Sequence, residues 1–318
     1  MTQDKNKPKL LVHIGYHKTG STYWQKKVFS TNEVNFIERS LVREHILAPT
    51  AYEFSSNSLN QWLKSQLVDN QLNVISEEEL SGNIHTAGNG RSITYETIER
   101  LSSIDAADVK ILIFVRNQVD MIDSCYRQYV KRGGCFSFEK YVLSETMGGE
   151  RHRFPGFSMA HFLYDDVIEH CFNRFGKNNV LVFSYEDFCS SPSRIVSEIS
   201  SEIKSELFIE KSANRTRVNQ SLSNFTVLLS RLTNRLFSKD PISRNAIFSL
   251  NILQPYLCKF YQYLDNILPR KLTTNHYVTN DKIKIINKYY SESNIATQEL
   301  TGIDLQKLKY PNAERINN

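Results

Sequence analysis

Three short runs carry the residues that could do chemistry. The first is Leu10-Leu11-Val12-His13-Ile14-Gly15-Tyr16-His17-Lys18-Thr19-Gly20-Ser21-Thr22-Tyr23-Trp24-Gln25. It reads as a buried strand, a glycine-bounded loop and a helix start, which is the architecture of a phosphate cradle. Backbone N–H groups without helical partners and the positive end of the helix dipole both face an anion there. Gly15 and Gly20 are expected to let the backbone turn tightly and approach a ligand. Their spacing matches a Walker A loop, but Ser21 follows the second glycine and the lysine stands inside the loop, at Lys18. A nucleotide phosphate is implied; an ordinary ATPase is not.

The second run is Val109-Lys110-Ile111-Leu112-Ile113-Phe114-Val115, apolar and β-branched as a central parallel strand should be, and it ends in Arg116. From Asn117 to Tyr129 the apolar residues recur at helical spacing, which places Ser124 in the early turns of a helix. A guanidinium at a buried strand end needs an anionic partner. That partner is either phosphate oxygens, which a planar guanidinium grips bidentately, or an internal carboxylate such as Asp120 or Asp123. In the third run, Leu72-Asn73-Val74-Ile75-Ser76 leads into Glu77-Glu78-Glu79. Acids there suit the opening of a helix. Ligands of open α/β sheets bind outside the carboxyl ends of the strands, so all three runs can share one crevice.

Lys18-Thr19-Gly20-Ser21-Thr22 resembles the first signature of the sulfotransferases that use 3′-phosphoadenosine 5′-phosphosulfate (PAPS), a strand followed by Lys-Thr/Ser-Gly-Thr/Ser-Thr. Arg116, with Ser124 eight residues on, resembles their second signature, and the resemblance implies that these two hold the 3′-phosphate of PAPS. It also implies an α/β fold of the P-loop NTPase-like kind, three layers with a central parallel sheet flanked by helices. The loop residues His17, Lys18, Thr19, Gly20, Ser21 and Thr22 would then meet the cofactor, with Lys18 also facing the charge of the reacting sulfuryl group. Ser76-Glu77-Glu78 resembles the Ser-Ser-Glu segment of bacterial and glycan-directed sulfotransferases, in which a glutamate is the general base. That alignment selects Glu78, and a shift of one residue would select Glu77. Arg215 to Ser223 resembles the segment that closes over the nucleotide, with Arg217 the candidate for the 3′-phosphate. Asn179 to Phe188 is similar to a late strand of the family, its acids read as structural, and Tyr290 to Asn294 to a C-terminal helix. The resemblance thus runs, discontinuously, over most of the chain.

The activity this implies is in-line transfer of a sulfuryl group from PAPS to a hydroxyl, with a saccharide the expected acceptor. A sulfuryl group carries less charge than a phosphoryl group, so no metal is expected. The strand comparable to the one that ends in a Mg²⁺-binding Asp in phosphate-loop NTPases ends here in Arg116, and no His pair has zinc spacing. His85 and the basic Arg151-His152-Arg153 are candidates for acceptor contacts. The rival readings are a small-molecule kinase of the phosphate-loop type, which would place a lysine at residue 21, and a nucleotide-binding module without catalysis.

These runs need a frame. At 318 residues, with the strands between residue 10 and about 184 and no linker-like composition among them, one domain over 9–318 is expected behind a polar, disordered tail at 1–8. Phe225 to Phe237 and Leu250 to Leu268 read as helices, and the aromatic segment Tyr256 to Tyr263 is expected to pack onto the sheet. The net charge of +5 suits a polyanionic cofactor and, being dispersed, does not suggest nucleic acid. Five cysteines without a C-x-x-C pair predict reduced thiols. With no apolar run near 20 residues and no signal-peptide pattern, a cytoplasmic, bacterial enzyme is the expectation.

Overall fold

Short runs rich in Val, Ile and Leu form the strands of one sheet in the computed structural model, which describes residues 7–85, 90–143, 156–210, 223–237, 254–267 and 278–311. The strands are β1 (Lys9–Ile14), β2 (Val34–Phe36), β3 (Leu72–Glu77), β4 (Asp108–Val115) and β5 (Val180–Ser184), in the order β2-β3-β1-β4-β5 with every pairing parallel. A parallel sheet must be covered on both faces, which is why β1 and β3 are buried almost throughout rather than at alternate residues.

The helices follow in chain order: α1 (Ser21–Tyr23), continued by a wider-wound turn over Trp24–Val28, α2 (Arg39–Val42), α3 (Ser56–Gln66) and α4 (Gly90–Ser102). After β4 come α5 (Gln118–Lys131), α6 (Phe138–Val142) and α7 (Tyr164–Phe175). After β5 come α8 (Tyr185–Ser190), α9 (Pro192–Ile203), α10 (Asn224–Phe237), α11 (Gln254–Ile267) and α12 (Asn280–Thr301). Side chains start the helices nearest the sheet edge. Asn117 caps α5 by accepting from the Val119 N–H at 3.0 Å, and Ser184 caps α8 by accepting from the Asp187 N–H at 3.0 Å.

Alternation along β1 divides the interior into two cores. Leu10, Val12 and Ile14 face one that includes Ile98, Leu101, Met121, Ile122, Tyr126 and Tyr290 of the helices. Leu11 faces the other, with Trp24, Phe29, Phe114 and Phe188, packed beneath Ile195 and Ile199 of α9. The side chain of His13 points the same way as that of Leu11 and is enclosed by the rings of Trp24, Phe29 and Phe114. Its Nδ1 lies 2.8 Å from the Ser76 hydroxyl, a lateral tie between β1 and β3. The sequence offered no sign of this role, because a histidine within an apolar run carries no periodic signal.

Burial in that aromatic cage lowers the His13 pKa to about 4, against a smaller opposing pull from Glu78. The unfolded chain, with a value near 6.5, therefore binds the proton first. Stability should be intact above pH 6.5 and fall as the pH drops toward 4, by up to about 1.4 kcal/mol per pH unit for this group. Melting temperatures measured across that window check this, and His13→Phe, which suits the surrounding rings, should flatten the fall.

Candidate active site

Register sets the site. Ile14 is opposite Glu77 on β3 and Ile113 on β4, so the segments that leave these three strands emerge side by side at one edge of the sheet. The segment after β1 runs into the Trp24 core and the one after β4 into the opposite core, which makes the gap between β1 and β4 a topological switch point. Between β1 and α1 the loop is held by its own bonds: the Thr19 hydroxyl donates to the Tyr16 carbonyl at 2.6 Å, and the Tyr23 N–H donates to the Gly20 carbonyl at 2.8 Å. Ser81 closes it from the side, its hydroxyl donating to the Gly15 carbonyl at 3.1 Å.

The turn is made by Lys18 and Gly20, at φ 69° and 86°. This corrects the expectation for Gly15, which is not left-handed and where a Cβ would meet only ordinary contacts at 3.5 Å. At Gly20 a Cβ would come within 3.2 Å of the Phe188 ring and 3.3 Å of Tyr185, so both conformation and space require glycine there.

The three consecutive glutamates go to three different environments. Glu77 is fully buried and accepts from Arg39 Nε at 3.0 Å, Arg39 Nη2 at 3.0 Å, Arg43 Nη2 at 3.1 Å and the Glu79 N–H, with Arg43 Nε also paired to it at 2.8 Å. Burial alone would raise its pKa; the paired guanidinium groups outweigh that and hold it below the ordinary carboxylate value. Glu79 accepts from the Asn83 amide. Glu78 turns to the loop, where one oxygen accepts from the Ser21 hydroxyl and the other lies 3.3 Å from His17 Nδ1. Burial again pushes its pKa up, but the bonds from His17 and Ser21 bring it down to about 2. The other ring nitrogen of His17, Nε2, is buried and makes no hydrogen bond.

Two basic residues touch across the switch point, through the side chain of one and the backbone of the other. Arg116 Nη1 donates to the Lys18 carbonyl at 2.7 Å, and its guanidinium lies over the Tyr185 ring, 4.8 Å from the centroid. Its Nε is buried without a partner, and among the described residues no carboxylate pairs with it. Asp123, one of the acids expected to neutralise it, pairs with Arg127 instead, at 2.7 Å. The Lys18 ammonium also has no carboxylate partner within the described residues, and burial lowers its pKa. Ser124 on α5 and Thr22 are half-buried.

The loop residues 17–22, Glu78 and Arg116 are thus brought together, Ser124 stands on the helix that follows Arg116, and Glu77 is drawn away into its arginine clamp. Arg217 and the cluster at 151–153 lie outside the described residues. Among the described residues, no three His, Cys, Asp or Glu side chains stand together as a metal site would need.

Sequence reasoning did not single out Tyr164 and His161. The Tyr164 hydroxyl donates to the Arg116 carbonyl at 2.8 Å and thereby fixes the strand end, and His161 packs edge-on against Tyr16 at 5.5 Å. Neither lies in a motif with a readable pattern. Glu186, at the start of α8, spends its oxygens on the Asn117 N–H and the Tyr310 hydroxyl, and Asp187 bonds the capping Ser184.

If Glu77 is the anchor of β3, Glu77→Gln should cost about 2–3 kcal/mol of stability by leaving two guanidinium groups without their carboxylate. Urea denaturation measures that loss.

No protein-family profile matches the sequence, and no curated protein matches it. Among solved structures the chain is similar to a sulfotransferase from Alicyclobacillus acidocaldarius, at 13% identity and a TM-score of 0.55 over 95% of this chain and 99% of that one. It also matches the mouse sulfotransferase SULT7A1 complexed with PAP, at 13% identity and a TM-score of 0.37 over 94% of this chain and 87% of that one. A third match is the sulfotransferase domain from the Curacin biosynthetic pathway, at 11% identity and a TM-score of 0.35 over 81% and 98%. With a parallel five-stranded sheet between helical layers and the phosphate-type loop after its central strand, the chain has the sulfotransferase fold, a variant of the P-loop NTPase arrangement.

Proposed function

We propose that the protein transfers a sulfuryl group from PAPS to an acceptor hydroxyl, with Glu78 as general base. The observation that carries the reading is the pair of cations at the β1/β4 switch point, Lys18 and Arg116, neither of which has a carboxylate partner among the described residues. Such a pair suits a ligand with two separated anionic groups. Arg116 with Ser124 would take the 3′-phosphate, and Lys18 with the loop N–H groups the 5′ end and the sulfuryl oxygens, in a loop whose left-handed turn at Gly20 packs against α8. The end of β4 in an arginine rather than an aspartate disfavours the kinase reading, because a metal-bound phosphoryl donor would meet a cation there.

The acceptor oxygen would attack sulfur as the bond from sulfur to the 5′-phosphate oxygen breaks, releasing adenosine 3′,5′-bisphosphate, while the hydroxyl proton passes to Glu78. A carboxylate with a pKa of about 2 is ionised at any working pH and is a weak base toward a neutral alcohol. It becomes adequate only when the sulfur–oxygen bond is well formed and the hydroxyl proton has turned acidic, so the proton moves late. Each carboxylate oxygen has two acceptor positions, and His17 and Ser21 use one apiece, which leaves room for the incoming hydroxyl.

The proposed place for a saccharide acceptor is a cavity of about 370 Å³ between α4 and α7, lined by Arg91, Tyr95, His161, Asp166 and His170 among others. The cavity adjoins the site through His161, which packs on Tyr16, and through Thr94, whose hydroxyl donates to the Ser81 carbonyl at 2.6 Å. Tyr95 is stacked on His170 at 4.4 Å and 60% exposed, an aromatic face with polar groups beside it that suits a sugar ring.

Three outcomes are expected. Glu78→Gln should bind adenosine 3′,5′-bisphosphate as wild type does and lose roughly 10²–10⁴-fold in turnover, measured with PAPS and a panel of oligosaccharides. Full activity in that variant removes Glu78 from the mechanism. Because the folded pKa of Glu78 lies below its ordinary value of 4.5, its ionic contribution to stability is present above that pH and is lost as the pH falls toward 2. The melting-temperature gap between wild type and Glu78→Gln should shrink across that interval.

For the cofactor, calorimetry should show the bisphosphate bound better than AMP or ADP by about 1.5–3 kcal/mol per lost phosphate contact, and Arg116→Ala should abolish the difference. Equal binding of ATP, ADP and the bisphosphate would leave nothing to recognise the phosphate that distinguishes PAPS.

A further inference from the structure

Helix α10 is amphipathic in the reverse sense. It buries Thr226, Ser230 and Asn234 together with Val227, and leaves Phe225, Leu228, Leu232 and Leu236 between 41% and 61% exposed. Its polar face is spent on α5: the Asn234 amide donates to the carbonyls of Val130 at 2.7 Å and Gly134 at 3.0 Å, and Arg127 donates to the Asn224 side chain at 2.7 Å. Helix α11 repeats the pattern. Tyr261 is buried and bonds Thr233 of α10, whereas Tyr256, Phe260, Tyr263 and Ile267 are 50–68% exposed. This overturns the expectation that the aromatic segment packs onto the sheet. Spacings of three and four place each set of four on one side of its helix, so two neighbouring helices turn eight large apolar side chains to solvent. Patches of that extent mark a surface that meets an apolar partner.

Charge identifies the partner. Between Lys211 and Asn280 the sequence holds ten Lys and Arg against two Asp, an excess larger than the +5 of the whole chain, so the remaining residues are net acidic. Arg235 and Lys259 are exposed beside Leu236 and Phe260, at the margins of the two stripes. Pairing of this face with a second copy would set like charges against each other. A nucleic acid would answer the cations and leave the apolar stripes wet. An anionic lipid leaflet answers both, with aromatic and aliphatic side chains entering the acyl boundary and cations at the headgroups. Among the described residues no helix is long and apolar enough to cross a membrane, so the helices would lie in the interface.

We infer that the outward face of α10 and α11 docks on an anionic membrane surface. The inference stands on this face alone and is independent of the proposed reaction. Since α10 packs against α5, the helix that follows Arg116, docking would hold the candidate site beside the bilayer.

Flotation of the full chain with vesicles tests it, comparing phosphatidylcholine alone with phosphatidylcholine containing about one-third phosphatidylglycerol. Partitioning to the anionic vesicles should be roughly tenfold stronger or more, and weaker at high salt. Leu232→Glu with Phe260→Glu should lower it at least about tenfold without changing the melting temperature or nucleotide binding, and Arg235→Glu with Lys259→Glu should remove the preference for anionic lipid. Failure to float with anionic vesicles at low salt overturns the inference, as does undiminished binding by the Leu232→Glu, Phe260→Glu protein. A concentration-dependent dimer that Leu232→Glu dissociates, seen by sedimentation without vesicle binding, would assign the face to a second copy and likewise overturn it.

Discussion

The register between β1 and β3 is the constraint on which the candidate site depends. Side chains alternate along and just beyond a strand, so fixing Ile14 opposite Glu77 decides which glutamate meets Arg39 and Arg43 and which meets the phosphate-type loop. Displacement by one residue would bury Glu78 against Arg39 and Arg43 and present Glu77 to His17. Several bonds guard that register at once: His13 to Ser76, Gln25 to the Ser76 carbonyl, Ser81 to the Gly15 carbonyl, and the double arginine clamp on Glu77. The carboxylate that does no chemistry in the proposed reaction is therefore what places the one that does.

A second dependence runs across the switch point. Arg116 reaches the Lys18 carbonyl, and its own backbone is pinned by Tyr164, which spans from α7 to the end of β4. Tyr185 lies beneath the guanidinium, and Phe188 stands against Gly20, so α8 supports both candidate anion-binding groups from one side. The site is thus built on strand ends and helix starts, whose positions are set by the two cores, rather than on long loops.

Much of this was legible in the sequence because it rests on local patterns. The β1 run, the glycine-bounded loop, the strand ending in Arg116 and the helix beginning at Gln118 are each announced by apolar spacing, and the parallel sheet between helices follows from their alternation. The separate fates of Glu77 and Glu78 were not legible, since they depend on partners 34 to 57 residues away and more. The same holds for the enclosure of His13, and for Tyr164, which acts at a distance of 48 residues. Gly15 misled because glycine in a loop suggests a left-handed turn, whereas Lys18 adopts it. The α10 and α11 segments misled in a different way. Their helical period is plain, but period alone does not say which face turns inward, and the hydrogen-bonding demand of the α5 terminus turned the polar one in.

The bonds that His17 and Ser21 make to Glu78 bear on how tightly an acceptor can be held. An acceptor hydroxyl that approaches this carboxylate does not fill an unmet demand; it joins or replaces donors that the fold already supplies, and exchange of one hydrogen bond for another yields little net free energy. In the proposed reaction, ground-state affinity at the reacting atom would be kept low by the fold's own side chains. Recognition of the acceptor would be left to more distant surfaces, and the carboxylate would be spared for the moment when the proton becomes acidic.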